Sequence, residues 1–221
     1  MPESNHFRLI WEKIGTPRQV LERIEDLESS LQGYKGVYLW TEEINGKIVA
    51  NYIGKHQKCI LNRNIEHLYY HLTLKNSLPS IYRENRKRLV VDWTRRTKKL
   101  KGDCEYIPMH KFLKDKVLTS QTQMEVGRYF EKITIYFCKL SERSNDEIDT
   151  IESFLIFNLQ PLENDRKTKS FNNPKNMNIT NQSTSFNESL NFESLIENTK
   201  NYLKDNKLDP RPNRNSLMKS T

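Results

Sequence analysis

The dipeptide Asn45-Gly46, which separates two β-prone runs, constrains the fold more than any other feature of the sequence. The runs at 36–44 and 47–54 are rich in aromatic and β-branched side chains. Both positions of a two-residue hairpin turn require a positive φ, which Asn and Gly adopt most readily. The sequence therefore predicts two antiparallel strands joined by a tight hairpin.

Helical and strand-like patterns flank this hairpin on both sides. Apolar residues recur every three or four positions in four segments, which predicts amphipathic helices, and one further run alternates as a strand does. Ser144, followed by acidic residues, opens one of the helices, and Pro161 closes it. The predicted helices cover about 16–32, 58–72, 144–159 and 190–203, and the predicted third strand covers 132–140.

The composition favours an anionic partner for this chain. Lys and Arg number 36 against 28 Asp and Glu, which gives a formal charge of +8. Such a balance suits nucleic acid first and an acidic membrane surface second, and the alternative is a soluble protein that is simply basic. The mean hydropathy of −0.82 predicts a modest core diluted by polar extensions. Residues 170–187, rich in Asn, Ser and Thr, predict a linker or a disordered tail.

Several classes of protein are disfavoured. No apolar run approaches the roughly 20 residues that cross a bilayer, so no membrane association is expected. The N-terminal residues lack the pattern of a secretory signal. The three cysteines form no C-x-x-C pair, which argues against a zinc ribbon or a disulfide framework. A cytoplasmic protein, encoded by a bacterium or a phage, is the expectation.

A dense basic segment at 83–101 is the predicted surface for DNA. It holds nine basic residues against two acidic ones, a density that suits contacts with phosphates. Tyr82 and Trp93 are interleaved with these charges and can stack on bases or fix the segment to the core. The alternative is a solvated charged face. The basic residues are Arg83, Arg86, Lys87, Arg88, Arg95, Arg96, Lys98, Lys99 and Lys101.

An ordered set of polar residues and glycines resembles the motifs of the GIY-YIG endonucleases. Two tyrosine–glycine elements occupy the hairpin, an Arg-x-x-x-His pair follows on the next helix, and a glutamate and a Pro-x-x-Asn sequence come later. The resemblance covers about residues 34–165. In chain order the set is Gly36, Tyr38, Tyr52, Gly54, Arg63, His67, Glu152 and Asn164.

The resemblance implies hydrolysis of a DNA phosphodiester, and the residue types suit that chemistry. Glu152 can hold a hard cation such as Mg²⁺ (or Mn²⁺), which takes few protein ligands. Arg63 offers a planar cationic fork for phosphate oxygens. The resemblance implies that Tyr38 is closest to the attacking water and that Tyr52 helps to orient it. A phenol with a pKa near ~10 needs a cation to act as a base, and Lys55 is the candidate.

His67 is one helical turn from Arg63 and is a candidate proton shuttle or phosphate ligand. Asn164 is expected to support a loop near the site. Each residue also has an ordinary explanation: hairpin tyrosines commonly pack, Glu152 can lie at the edge of an apolar stripe, and His67 can be a surface histidine. The family interpretation is preferred because separate coincidences would have to occur in the correct order.

The fold that the resemblance implies is α+β, a small three-stranded antiparallel sheet flanked by helices, with a basic insertion and a polar C-terminal tail. The expected organisation is an N-terminal helical extension (1–33), a catalytic domain (34–165, insertion at about 73–128) and a tail with a possible short helix (166–221). Two features depart from the family pattern. The tyrosines are further apart than usual, and the gap between His67 and Glu152 is longer.

The expected function is that of a type II restriction endonuclease which cuts a specific double-stranded DNA site. One site per chain cuts one strand, so a homodimer is expected. The alternatives are a homing, mobile-element or structure-specific repair nuclease, and a non-catalytic DNA-binding protein on the same scaffold.

Overall fold

A computed structural model describes most of the chain. The described residues are 5–72, 88–92, 104–108, 124, 127–164, 177–183 and 190–206. They divide into two compact units. The first comprises Met1–Gly15, Leu31–Ile60 and Thr134–Thr221, and the second comprises Thr16–Ser30 and Leu61–Ile133. The expected catalytic region at 34–165 is thus shared between both units.

The first unit contains a five-stranded mixed sheet. Its strands are β1 (Asn5–Gly15), β2 (Gly36–Ile44), β3 (Lys47–His56), β6 (Ile133–Lys139) and β7 (Met177–Ser183). Their order across the sheet is β3-β2-β6-β1-β7. Strand β1 is antiparallel to β6 and parallel to β7, whereas β2 and β3 are antiparallel to each other.

The predicted α+β class is confirmed, but the predicted three-stranded antiparallel sheet is wrong. The three predicted strands are present as β2, β3 and β6, and two more extend the sheet. Strand β1 comes from the segment expected to be a helical extension, and β7 comes from within the expected disordered tail. Long-range pairing explains the difference, since β1 hydrogen-bonds with strands more than a hundred residues away along the chain.

The predicted hairpin is confirmed. Asn45 and Gly46 adopt positive φ values of 52° and 72° between β2 and β3. The pairing then changes register by one residue, because Trp40 is opposite Tyr52 whereas Thr41 is opposite Ala50. Asn51 is therefore the extra residue of a β-bulge.

Two helices of the first unit pack beside this hairpin. Helix α4 (Asn145–Leu159) begins with a capping box between Ser144 and Glu147, and its apolar face joins the core with β2 and β3. Helix α5 (Phe192–Asp205) begins at the N-cap Asn191. Both predicted helices are confirmed.

Helix α5 covers the outer edge of β3. The Asn198 side chain donates to the Ile48 carbonyl at 3.1 Å, and the Thr199 hydroxyl accepts from the Ala50 N–H at 2.9 Å. Leu195 and Leu203 of the same helix are buried. The edge of the sheet is thereby hydrogen-bonded by side chains of the helix.

In the part of the chain that the structure describes, the second unit contains several helical segments, one of them at 127–132, and a pair of strands. The predicted helix at 16–32 is present as α1 (Pro17–Glu22) and α2 (Ile24–Leu31), and α3 (Ile60–Leu72) begins at the boundary with the first unit. Strands β4 (Arg88–Asp92) and β5 (Cys104–Pro108) pair in parallel. Every helix in the described part of the chain is too short or too polar to traverse a bilayer.

Candidate active site

The ring of Tyr38 lies directly over Gly54, its partner on the neighbouring strand. A Cβ atom at Gly54 would lie 2.9 Å from Cε2 of Tyr38 and closer still to its Cζ and hydroxyl. Tyr38 is only 1% exposed, so its ring has little room to move away. Steric crowding therefore explains the glycine of the Tyr-Ile-Gly motif, because only a residue without a side chain leaves room for the Tyr38 ring.

The bulge at Asn51 brings the two tyrosines to one face. If the register set by the turn continued without it, Tyr38 would be opposite Ile53, and Tyr52 would point to the other face. With the bulge, the ring centroids of Tyr38 and Tyr52 are 6.0 Å apart. The buried Trp40 ring meets Tyr52 edge-on at 6.5 Å. Tyr52 is half-buried, so this pair of phenols is only partly enclosed.

Gly36 allows the start of β2 to approach β6 closely. A Cβ atom there would lie 2.9 Å from Cδ1 of Ile60 and 3.1 Å from the Leu140 nitrogen, and it would overlap the Cys138 carbonyl oxygen. Gly36, which was expected to support the site, thus lies where the backbones of β2 and of the end of β6 meet the first residue of α3.

Lys55 and Glu152 form an ion pair on the other face of the hairpin. Lys55 is opposite Val37, which packs in the same core as Ile151 of α4. The Lys55 ammonium donates to Glu152 Oε2 at 2.6 Å and lies 3.2 Å from Asp149 Oδ1. The structure therefore brings Lys55 to Glu152 and Tyr38 to Tyr52, with the two pairs on opposite faces of the two strands.

Burial and charge act against each other in this ion pair. Burial lowers the pKa of Lys55, but hydrogen bonds and charge from Glu152 and Asp149 outweigh it, so that this pKa is raised overall. Burial raises the pKa of Glu152, and Lys55 counteracts part of that increase. The sequence assigned Lys55 to a phenolate. Among the described residues its ammonium instead favours the ionised form of Glu152.

Asn164 binds the backbone between Tyr52 and Gly54. Its side chain accepts from the Ile53 N–H at 2.8 Å and donates to the Ile53 carbonyl at 2.6 Å. The chain just before it also pairs with β3, since the Glu163 N–H donates to the Asn51 carbonyl at 2.8 Å. The Pro-x-x-Asn segment therefore holds β3 in place at the Tyr-Ile-Gly motif.

Arg63 and His67 belong to α3 in the second unit, and their surroundings are described within it. The Arg63 guanidinium donates to Glu66, which also accepts from the Tyr70 hydroxyl at 2.6 Å. His67 is buried. That burial, together with the charge of Arg63, lowers its pKa to about 4. His67 is therefore neutral at physiological pH, with one ring nitrogen protonated.

The predicted DNA-binding segment is largely outside the described residues. Arg88 begins β4, and its backbone pairs with Cys104. Tyr82, Trp93 and eight of the nine basic residues are not described, so the predicted contacts with DNA stay a prediction.

The carboxylates beside Lys55 have the chemistry of a site for a hard cation. Asp149 and Glu152 are one helical turn apart and both contact the Lys55 ammonium. Mg²⁺ prefers carboxylate oxygens and keeps most of its waters, so these two groups fit it if the ammonium moves aside. In the described part of the chain, no group of three or more His, Cys, Asp or Glu side chains could hold a metal.

Three residues of this region were not predicted from the sequence. Asp149 precedes Glu152 by one turn, a spacing that could have identified it. Trp40 alternates with Tyr38 and could have been placed on the same face. Gln57, whose side chain donates to Asp149 at 2.8 Å, left no recognisable signal.

No protein-family model, curated protein or solved structure matches this chain. The similarity to GIY-YIG endonucleases therefore depends on the motif residues and their geometry alone.

Proposed function

We propose that this chain is a metal-dependent DNA endonuclease of the GIY-YIG type, which hydrolyses phosphodiester bonds. The observation that carries the proposal is the position of Tyr38 over Gly54, with Tyr52 brought to the same face by the bulge. Asn164 hydrogen-bonds the backbone of Ile53, which lies between Tyr52 and Gly54, so a further motif residue also contacts this strand. Packing explains why Tyr38 needs Gly54 beside it, and the order in which these residues and Asn164 occur in the chain is what supports the nuclease proposal beyond packing.

In the proposed reaction, each residue has a separate task. The phenols of Tyr38 and Tyr52 orient the attacking water, whose oxygen bonds to phosphorus as the bond to the leaving oxygen breaks. The resemblance, and not a contact in the structure, assigns Arg63 to the non-bridging oxygens of the phosphate and neutral His67 to accepting or donating a proton. Glu152 and Asp149, on the opposite face of the two strands from the tyrosines, are the carboxylates that would hold Mg²⁺ (or Mn²⁺) once the Lys55 ammonium had left them. The charge of the cation would stabilise the expelled oxyanion, and the proposal requires the DNA backbone to reach both faces at the end of the hairpin.

The more specific proposal is a type II restriction endonuclease acting on double-stranded DNA. A single site per chain suits a homodimer, in which each copy cuts one strand. The basic segment at 83–101 supplies the charge for phosphate contacts, and a steep loss of affinity with salt is expected. A mobile-element or repair nuclease would share the same chemistry. The location proposed is the cytoplasm.

A specific observation favours a second candidate, a DNA-binding protein without catalysis. Glu152 is already paired with Lys55, and Arg63 with Glu66. Both residues would have to exchange an internal partner for a cation or a phosphate. A protein that had lost its activity could keep these ion pairs permanently.

The test is cleavage of mixed-sequence DNA in Mg²⁺ by the wild type, by Glu152→Gln and by Glu197→Gln. Glu197 lies on the exposed side of α5, so its variant removes the same charge away from the candidate site. We expect discrete fragments from the wild type and Glu197→Gln, and none from Glu152→Gln. Random nicking would favour a repair or structure-specific enzyme. DNA binding without cleavage by any of the three would favour the non-catalytic candidate.

A further inference from the structure

Glu66 lies between Arg63 and Tyr70 on one side of helix α3. Its two carboxylate oxygens have different partners, since Oε2 accepts from Arg63 Nη1 and Oε1 accepts from the Tyr70 hydroxyl at 2.6 Å. The spacings of three and four residues place these side chains next to one another on the helix surface. The side chains of Arg63 and Glu66 are 34% and 40% exposed, so the pair is accessible to solvent and to a ligand.

The protonation states of the three groups reinforce this arrangement. Hydrogen bonds from Tyr70 and Arg63 lower the pKa of Glu66, which keeps it ionised. The hydrogen bond to Glu66 raises the pKa of Tyr70, which keeps its phenol protonated and able to donate. At neutral pH the carboxylate is thus held from both sides by donors.

We propose that Glu66 is a positioning residue for Arg63, an inference that rests on the proposed nuclease function. An arginine side chain has many rotamers, and ordering it at the moment of reaction costs free energy. Glu66 binds one end of the guanidinium and thereby fixes the direction in which this planar group faces a phosphate. Tyr70 fixes Glu66 in turn.

The same contact has an opposing effect on binding. A carboxylate beside Arg63 reduces the attraction between the guanidinium and a DNA phosphate. Removing that negative charge should therefore strengthen DNA binding while loosening the orientation that cleavage needs. A residue that only stabilised the fold would produce no such opposite changes. An exposed pair of this kind contributes little to folding stability, so the variant is expected to fold.

The test compares steady-state cleavage of a DNA duplex carrying the wild-type cut site by Glu66→Gln, Tyr70→Phe and Glu28→Gln. For Glu66→Gln we expect kcat to fall about tenfold and KM to fall about threefold. Tyr70→Phe keeps the charge of Glu66, so a smaller loss of kcat with an unchanged KM is expected. Glu28→Gln removes an exposed charge from another helix of the same unit and should match the wild type.

A double-mutant cycle with Arg63→Ala completes the test. If Glu66 acts through Arg63, Glu66→Gln should have no further effect on kcat once Arg63 is removed. A cleaving wild type with Glu66→Gln equal to Glu28→Gln would overturn the positioning role and leave the nuclease function standing. A fall in kcat alone, with KM unchanged, would indicate a structural role and overturn it too. A wild type that cuts no DNA would overturn both proposals.

Discussion

Replacing Gly54 with alanine tests the packing that links the two motif tyrosines. The new methyl group would lie 2.9 Å from Cε2 of Tyr38 and closer still to Cζ and the hydroxyl. Tyr38 and the neighbouring Trp40 are both buried, so the ring cannot turn into solvent. Overpacking of this kind costs about 1–3 kcal/mol. We expect the free energy of unfolding to fall by about 2 kcal/mol.

Urea denaturation of matched variants would measure this loss. Gly127→Ala is the control, because no heavy atom lies within 4 Å of a Cβ atom at that position. In a Tyr38→Phe background, the cost of Gly54→Ala should shrink but persist, since the hydroxyl is gone and Cζ remains. An unchanged stability for Gly54→Ala, or an equal cost in both backgrounds, would refute the steric argument.

Cleavage by Gly54→Ala separates the packing role of Tyr38 from its proposed chemical role. Displacing the phenol by about 1 Å should reduce cleavage about 100-fold if Tyr38 orients the attacking water. The measurement is made at a temperature where the variant is folded. Normal cleavage from a destabilised variant would remove Tyr38 from the reaction.

Three further predictions concern single side chains. His67 is 8% exposed, and its pKa is about 4 in the folded protein against the ordinary 6.5. This difference in pKa contributes about 3 kcal/mol to the free energy of unfolding when the histidine is neutral. This stability is present above pH 6.5 and lost as the pH falls towards 4, so urea titrations of His67→Gln should lack that loss. Lys55→Met leaves the largely buried Glu152 without its cation, which should lower the stability by about 2 kcal/mol near pH 7. The loss should be smaller in acid, where Glu152 is protonated, and thermal unfolding at both pH values measures it. Asn164→Asp removes the donor to the Ile53 carbonyl but keeps an oxygen for the Ile53 N–H, and it should lower stability by about 1–3 kcal/mol in urea denaturation.

Local signals predicted the central elements of the fold well. The Asn45-Gly46 turn and the Ser144 capping box are short motifs whose hydrogen bonds close within a few residues. Strand β1 was missed although Phe7, Leu9 and Trp11 alternate as buried residues. Alternation shows that a face is buried but does not identify partners, and those of β1 lie in β6 and β7.

Strand β7 was harder to predict from composition. Its sequence, MNITNQS, has few apolar residues and suits a tail as well as a strand. Side-chain hydrogen bonds tie it to β1, from Arg8 to Gln182 and from Trp11 to Asn181 at 2.9 Å. Amide side chains that bind across strands make a polar segment fit a sheet, which composition alone does not reveal.

The geometry of the candidate site depends on one residue that the motif does not include. The turn alone sets a register in which Tyr38 and Tyr52 lie on opposite faces, and the bulge at Asn51 corrects it. Bulges have weak sequence signals, so the residue types alone could not predict how these side chains are arranged. The pairing of Lys55 with Asp149 as well as Glu152 depends in the same way on how α4 packs.

The covering of β3 by α5 has a consequence for handling the protein. An uncovered edge strand is a template for the edge of another molecule and promotes aggregation and domain swapping. Without α5, the Ile48 carbonyl and the Ala50 N–H would lose the partners that Asn198 and Thr199 provide. A version shortened before residue 190 should therefore self-associate through β3 instead of staying monomeric.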